Sequence, residues 1–259
     1  MAYLKTQTDD RGVTTMTLNR PEQRNAIDRA FMDEFSITLD KLGSNTRVLL
    51  LDAVGEHFCA GADISWMKNS INLSDEENHA DAMALSNMLD KLDRFPKPTL
   101  ARVTGAALGG GTGLICYCDI VIADESARFG FTEVKLGLIP ATISPYAIAA
   151  IGTRAARRYF LSGEHIDAVD AYRIGLIHDI CSKDNMDIRV EEKITALLQC
   201  SPSAQSACKQ LIKAVNGKTV DNELRQQLGK RLADTRAGHD AQEGLGAFID
   251  KRRPNWTSV

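Results

Sequence analysis

Two glycine-bearing strings hold the residues whose types and spacing could do chemistry in this sequence. The first string is Phe58-Cys59-Ala60-Gly61-Ala62-Asp63-Ile64. The second is Gly105-Ala106-Ala107-Leu108-Gly109-Gly110-Gly111-Thr112-Gly113. Each follows an apolar run that reads as a buried strand and leads into a helical stretch. A strand-to-loop-to-helix passage leaves the first helical N–H groups without partners, and the helix dipole adds to their pull on negative charge. Glycine and alanine let a ligand come close to that backbone. Two amides aimed at one oxygen make an oxyanion hole, and a carboxylate nearby can carry a proton. Singly, each string also fits a tight turn or a close helix–strand contact. The chemistry needs both together. The GGGTG run is not a P-loop, because no GK[ST] follows, and it fits GxGxxG poorly.

The elements that must position these groups can be read from periodicity. Val13 to Leu18 alternates like a half-buried strand and ends at the turn Asn19-Arg20-Pro21. Ile27, Phe31, Phe35 and Leu39 lie four apart, which predicts an amphipathic helix over 27–42 with Asp28 near its start. Arg47 to Ala53 reads as a buried strand. Asp75 to Phe95 reads as a helix capped by Ser74 and stopped by Pro96 and Pro98. Strands follow at 99–104, 119–123 and 128–134, then helices at 142–150, 153–162 and 167–173, and a strand at 177–181. Beyond residue 184 only helical patterns remain, at 186–200, 203–215, 220–236 and 240–250. Alternating strands and helices predict an α/β core with parallel strands. The expected organisation is a core over 1–195 and a helical region over 196–259 that caps it or a neighbouring subunit.

The chain has 259 residues, 44% apolar and 25% charged, with a formal net charge of −3. A mildly acidic balance argues against nucleic acid as a partner. The first ten residues carry no apolar signal core, and no run approaches the roughly 18 apolar residues of a membrane span. Six cysteines at 59, 116, 118, 181, 200 and 208 form no CxxC pair, and histidines number five. The expectation is free thiols in the cytoplasm and no metal site.

Several separated segments together resemble the crotonase, or enoyl-CoA hydratase/isomerase, superfamily. They are Pro21-Glu22-Gln23-Arg24-Asn25-Ala26, Phe58 to Asp63, Gly105 to Gly113, Cys118-Asp119-Ile120, Phe129-Gly130, Glu133, and Leu136-Gly137-Leu138-Ile139-Pro140. Their order and spacing match, and the resemblance covers essentially the whole chain. It implies a spiral of ββα units with a C-terminal helical region, assembled as a homotrimer or a hexamer built as a dimer of trimers. It implies an acyl-CoA substrate and no separate cofactor, since CoA is part of that substrate. By residue-by-residue carry-over, the N–H groups of Ala62 and Gly110 form the oxyanion hole and Glu133 handles the proton. Ala26, Ala60, Asp63 and Ile64 line the CoA path. Arg24 and Lys68 are candidates for the CoA phosphates, and Phe248 and Lys251 could reach a neighbouring subunit's CoA. For each of these charged side chains a solvated surface position is the alternative.

Two departures from the family pattern narrow the reading. Two-glutamate hydratases carry their other catalytic glutamate where this chain has Gly113, so a route through two carboxylates is in doubt. After Pro140, many members have a glycine-rich stretch where this chain has Ala141-Thr142-Ile143-Ser144-Pro145-Tyr146. With Thr132 to Lys135 and Arg157-Arg158-Tyr159-Phe160, this looks like bacterial methylglutaconyl-CoA hydratases of leucine and isovalerate breakdown and their terpenoid-degrading relatives. A glutaconyl substrate brings its own carboxylate, and a fixed glutamate beside it would set two anions in a low-dielectric pocket. Gly113 would remove that repulsion and free space. Thr142, Ser144 and Tyr146 could donate to the distal carboxylate, or equally serve as cap and packing residues. The expected activity is hydration of a 3-methylglutaconyl-type CoA thioester. The alternatives are a Δ3,Δ2-enoyl-CoA isomerase, a general enoyl-CoA hydratase, a dehydratase acting on carrier-protein-bound groups, and a non-catalytic or RNA-binding homologue.

Overall fold

The computed structural model describes residues 2–43 and 45–257. The strands are β1 (Leu4–Thr8), β2 (Val13–Leu18), β3 (Val48–Ala53), β4 (Thr99–Val103), β5 (Ala106–Leu108), β6 (Ile120–Asp124), β7 (Arg128–Gly130), β8 (Ile166–Asp167) and β9 (Asp179–Cys181). The helices are α1 (Arg29–Lys41), α2 (Ile64–Ser70), α3 (Asp75–Asp93), α4 (Gly110–Cys116), α5 (Ser144–Ser162), α6 (Ala168–Arg173), α7 (Met186–Leu198), α8 (Pro202–Val215), α9 (Asn222–Ala237) and α10 (His239–Ile249). One sheet runs in the order β1-β2-β3-β4-β6-β9, and a smaller one in the order β5-β7-β8. The large sheet is parallel from β2 onwards, with β1 antiparallel at its edge.

The apolar run of β3 shows why the sheet sits inside the molecule. Strand side chains alternate between faces, and both faces of β3 are covered. Leu49 and Leu51 enter a core with Phe31, Met32 and Phe35 of α1 and Met88, Leu89 and Leu92 of α3. Val48 and Leu50 enter a second core with Val13, Leu100, Ile122 and the α7 residues Met186, Val190 and Ile194. Helix α1 begins where expected, because the Asp28 carboxylate accepts from the Phe31 N–H at 2.8 Å; such a cap contributes about 1 kcal/mol. Ser74 forms a capping box with Glu77 at the start of α3.

Three expectations differ from the structure. β1 forms although LKTQT is polar, because it needs to bury only Leu4 while pairing with β2. α2 occupies what reads as loop, started by Asp63, whose carboxylate accepts from Ser65 N–H and Trp66 N–H. The strand expected over 128–134 ends at Gly130, and Glu133 opens a 3₁₀ turn over Glu133–Leu136. The two helices expected over 142–162 are, by contrast, present as the two halves of α5, which breaks at Gly152 with a positive φ of 71°. The boundary expected after residue 195 falls within α7, which packs on the sheet. Beyond it, α8 buries no residue, α9 only Leu224 and α10 only Ala247.

Candidate active site

The two glycine strings meet. Cys59 and Ala107 form an isolated parallel bridge: Cys59 N–H donates to Ala106 O and Leu108 N–H to Cys59 O, both at 3.0 Å. Contact is close enough that a methyl group on Gly61 would lie 2.8 Å from Leu108 O and 3.7 Å from Gly110 N. One on Gly111 would lie 2.3 Å from Cys59 O. Only glycine allows this approach, and Gly61 and Gly109 also take left-handed φ values of 92° and 50°.

The amides of Ala62 and Gly110 accordingly lie on adjoining segments. Neither donates to an acceptor among the described residues, whereas their neighbours do. Ala60 N–H donates to Arg24 O at 2.9 Å, Asp63 N–H to Ile27 O at 2.8 Å, and Gly109 N–H to Gly130 O at 2.8 Å. Gly110 opens α4, so its free N–H belongs to the unsatisfied first turn of a helix.

Glu133 reaches the same place from the other side. A methyl group on Gly109 would sit 3.3 Å from Glu133 Oε1. Glu133 Oε2 is buried and has no hydrogen-bond partner among the described residues. Burial raises this carboxyl above its ordinary value, as taking an anion out of water must. Thr112, which the sequence reading passed over, ties these parts together. Its buried hydroxyl donates to Ala107 O at 2.6 Å and accepts from Gly130 N–H at 3.2 Å, joining α4 to the strand that leads to Glu133. Cys59 is no rival nucleophile, because burial pushes its thiol up to about 12.

Gly113 is buried, and the room beside it is already filled. A methyl group there would lie 2.4 Å from Ile143 Cγ2, and Ile143 is itself buried. Open space at Gly113 is therefore a wrong expectation, since the missing glutamate is replaced by an isoleucine from the segment before α5. Of the two uses open to Tyr146 and Ser144, their contacts are those of packing and cap residues. Tyr146 stacks on Tyr117 at 3.8 Å between centroids and donates to Asp93 Oδ2 at 2.5 Å, so its hydroxyl faces a carboxylate of the protein. Ser144 donates to Ala141 O at 2.8 Å. Both act as packing and turn residues, and Thr142 offers its carbonyl to Tyr117 OH at 3.0 Å.

The remaining candidates divide between the loops and the tail. Ala26 is buried, and Ala60 and Asp63 are half-buried on the loop flanking Ala62. Asp63 spends its carboxylate on capping α2. Ile64 is 68% exposed at the start of that helix, and Arg24 and Lys68 are exposed. Phe248 and Lys251 stand at the end of α10, which packs on α8 and α9. Phe248 is 83% exposed in the single chain. No helix among the described residues is long and apolar enough to cross a membrane.

A parallel sheet flanked by helices, a smaller second sheet, free loop amides and a glutamate with a buried, unpartnered carboxyl oxygen define an acyl-thioester enzyme of the crotonase class. The chain belongs to the enoyl-CoA hydratase/isomerase family, whose model matches residues 8–259. It is 32% identical over 251 residues to a putative enoyl-CoA hydratase of Thermus thermophilus, covering 94% of this chain and 97% of that one. It is 33% identical over 252 residues to the 2,3-dehydroadipyl-CoA hydratase of Escherichia coli, covering 94% of each. The crystal structure of an enoyl-CoA hydratase from Shewanella pealeana superposes with a TM-score of 0.95 at 42% identity, covering 98% of this chain and 96% of that one. The chain is thus an enoyl-CoA hydratase-type enzyme acting on CoA thioesters.

Proposed function

We propose that this enzyme adds water to 3-methylglutaconyl-CoA or a related glutaconyl-CoA, with Glu133 as the only proton carrier and the amides of Ala62 and Gly110 holding the thioester oxygen. The observation that carries this reading is the carboxyl of Glu133, buried and unpartnered at Oε2 among the described residues and beside Gly109, with Ile143 in the space next to Gly113. Ionised Glu133 takes a proton from the water whose oxygen bonds to Cβ. The electron pair of the C=C bond moves onto the thioester oxygen as an enolate. The same carboxyl then returns the proton to Cα, giving a tertiary alcohol when Cβ bears a methyl group. Each oxyanion donor is worth about 3 kcal/mol in the transition state. The step calls for no metal or separate cofactor.

An apolar wall at Ile143 suits a substrate that carries its own anion, since a second fixed carboxylate nearby would repel it. The Escherichia coli relative is named for 2,3-dehydroadipyl-CoA, also a thioester with a distal carboxylate, which is consistent with that choice. In this reading Arg24 and Lys68 take the CoA phosphates, and Ala26, Ala60, Asp63 and Ile64 flank the CoA path. The chain assembles as a trimer or a pair of trimers in the cytoplasm, and residues 196–259 supply Phe248 and Lys251 to a neighbour.

One carboxylate also suffices for a Δ3,Δ2-enoyl-CoA isomerase, which is the second reading. A panel of crotonyl-, 3-methylglutaconyl- and 3-hexenoyl-CoA in oxygen-labelled water separates them. Hydration of the methylglutaconyl ester with label in the product, lost in Glu133→Gln, is the expected result. Turnover of the 3-enoyl ester alone, without label, would replace this proposal with the isomerase.

A further inference from the structure

We infer that Asn25 is a positioning residue for the oxyanion loop, holding the Ala62 N–H in its aim through bonds to both ends of the connection that leaves β3. This rests on the proposed role of Ala62. Asn25 is 2% exposed and takes a left-handed φ of 54°, directly after Arg24 at 52°. Asparagine tolerates that conformation better than most side chains. Both polar atoms of its amide are bonded. Oδ1 accepts from Arg20 N–H at 2.8 Å, and Nδ2 donates to Val54 O at 3.0 Å and His57 O at 2.9 Å.

Val54 and His57 bracket the turn from which the chain enters Phe58-Cys59-Ala60-Gly61-Ala62. The backbone on either side of Asn25 then grips that string directly. Ala60 N–H donates to Arg24 O at 2.9 Å, Ile27 N–H to Gly61 O at 2.7 Å, and Asp63 N–H to Ile27 O at 2.8 Å. The carbonyls of Arg24 and Ile27 take the amides of Ala60 and Asp63, and the amide of Ala62 between them is left without an acceptor among the described residues. The side chain of Asn25 fixes the frame, and the frame decides which amide stays free. A misplacement of ~1 Å at a catalytic dipole costs on the order of 100-fold in rate.

The test uses Asn25→Gly and Asn25→Asp in the full chain. Glycine keeps the backbone angle and removes all three side-chain bonds. Aspartate keeps the shape but cannot donate to Val54 O and His57 O. Turnover of the preferred enoyl-CoA and equilibrium binding of CoA and of acetoacetyl-CoA, whose enolate carries charge on the thioester oxygen, are measured for each. Both variants are expected to lose about 10- to 100-fold in kcat with KM changed less than about threefold. Acetoacetyl-CoA should weaken by a comparable factor while CoA binds as before. Equal weakening of both ligands, or a kcat within about threefold of the parent, would overturn the inference. The binding arm does not depend on turnover. A parent enzyme that binds acetoacetyl-CoA more tightly than CoA yet hydrates no glutaconyl ester sinks the proposed reaction and leaves the role of Asn25 readable.

Discussion

Glu133 is held where its charge is costly, and that cost has a pH signature. Burial raises its carboxyl, so the folded chain holds this proton at pH values where the unfolded chain has released it. Between the unfolded value, about 4.3, and the raised folded one, stability falls as pH rises. The contribution is fully present below that window and lost above it. Glu133→Gln has no such proton, so its melting temperature relative to the parent should climb with pH through the window and level off above it; a constant offset would deny the burial cost. Activity moves the opposite way, because the ionised form must accept a proton from water. The acidic limb of kcat/KM should lie above the usual carboxylate range. Gly113 makes a separate claim. Its missing side chain and Ile143 are complementary, so Gly113→Ala should cost about 1–3 kcal/mol by overpacking. Combined with Ile143→Ala, which alone costs about 2–5 kcal/mol, the pair should be more stable than the two losses added. Strict additivity in urea melts would mean that Ile143 yields freely.

The two loops matter through their joint geometry. A side chain on Gly61 meets Leu108 O at 2.8 Å and is also forced into a left-handed conformation. Gly61→Ala should therefore push the strings apart and lower kcat on the order of 100-fold, with less change in KM, as read by steady-state kinetics. Gly152 is the control among the glycines. It too has a positive φ, but a methyl group there meets nothing within 4 Å. Gly152→Ala should cost about 1–3 kcal/mol through backbone strain, because its ψ of 160° lies in a region open almost only to glycine, visible in the melting temperature, and leave kcat unchanged. The break at Gly152 was legible in the sequence because a glycine interrupted a helical pattern. The buried strands were legible because RVLLLDA can only be buried. β1 and α2 were not, for one physical reason: LKTQT buries a single leucine and ISWMKNS buries no residue, so neither writes an apolar period. The strings stood out by residue type, and Glu133 by family resemblance. The clamp at Asn25, the tie at Thr112 and the plug at Ile143 did not, because each exists only once distant segments meet.

Considered as one body, the chain leaves much apolar surface uncovered. Leu136, Leu138, Ile139, Leu161, Leu245, Phe248 and Ile249 are all exposed large apolar side chains, several of them on α10 or on the turn that follows Glu133. α8, α9 and α10 bury few residues of their own, so these helices gain little from packing on this chain alone. Exposed apolar surface rimmed by polar residues is what subunit contact covers. The expected outcome in sedimentation equilibrium is a particle of three or six chains. Replacing Phe248 and Ile249 together by aspartate should shift it towards single chains, since burying either charge at a closed contact is costly. Lys251→Ala tests a different job. If Lys251 completes a neighbour's CoA site, its loss raises KM for acyl-CoA several-fold, as one ion-assisted contact of about 1–2 kcal/mol would, while the particle stays assembled. An assembly untouched by the two aspartates would move the contact surface away from α10. An unchanged KM in Lys251→Ala would leave Arg24 and Lys68 of the same chain as the cations for the CoA phosphates.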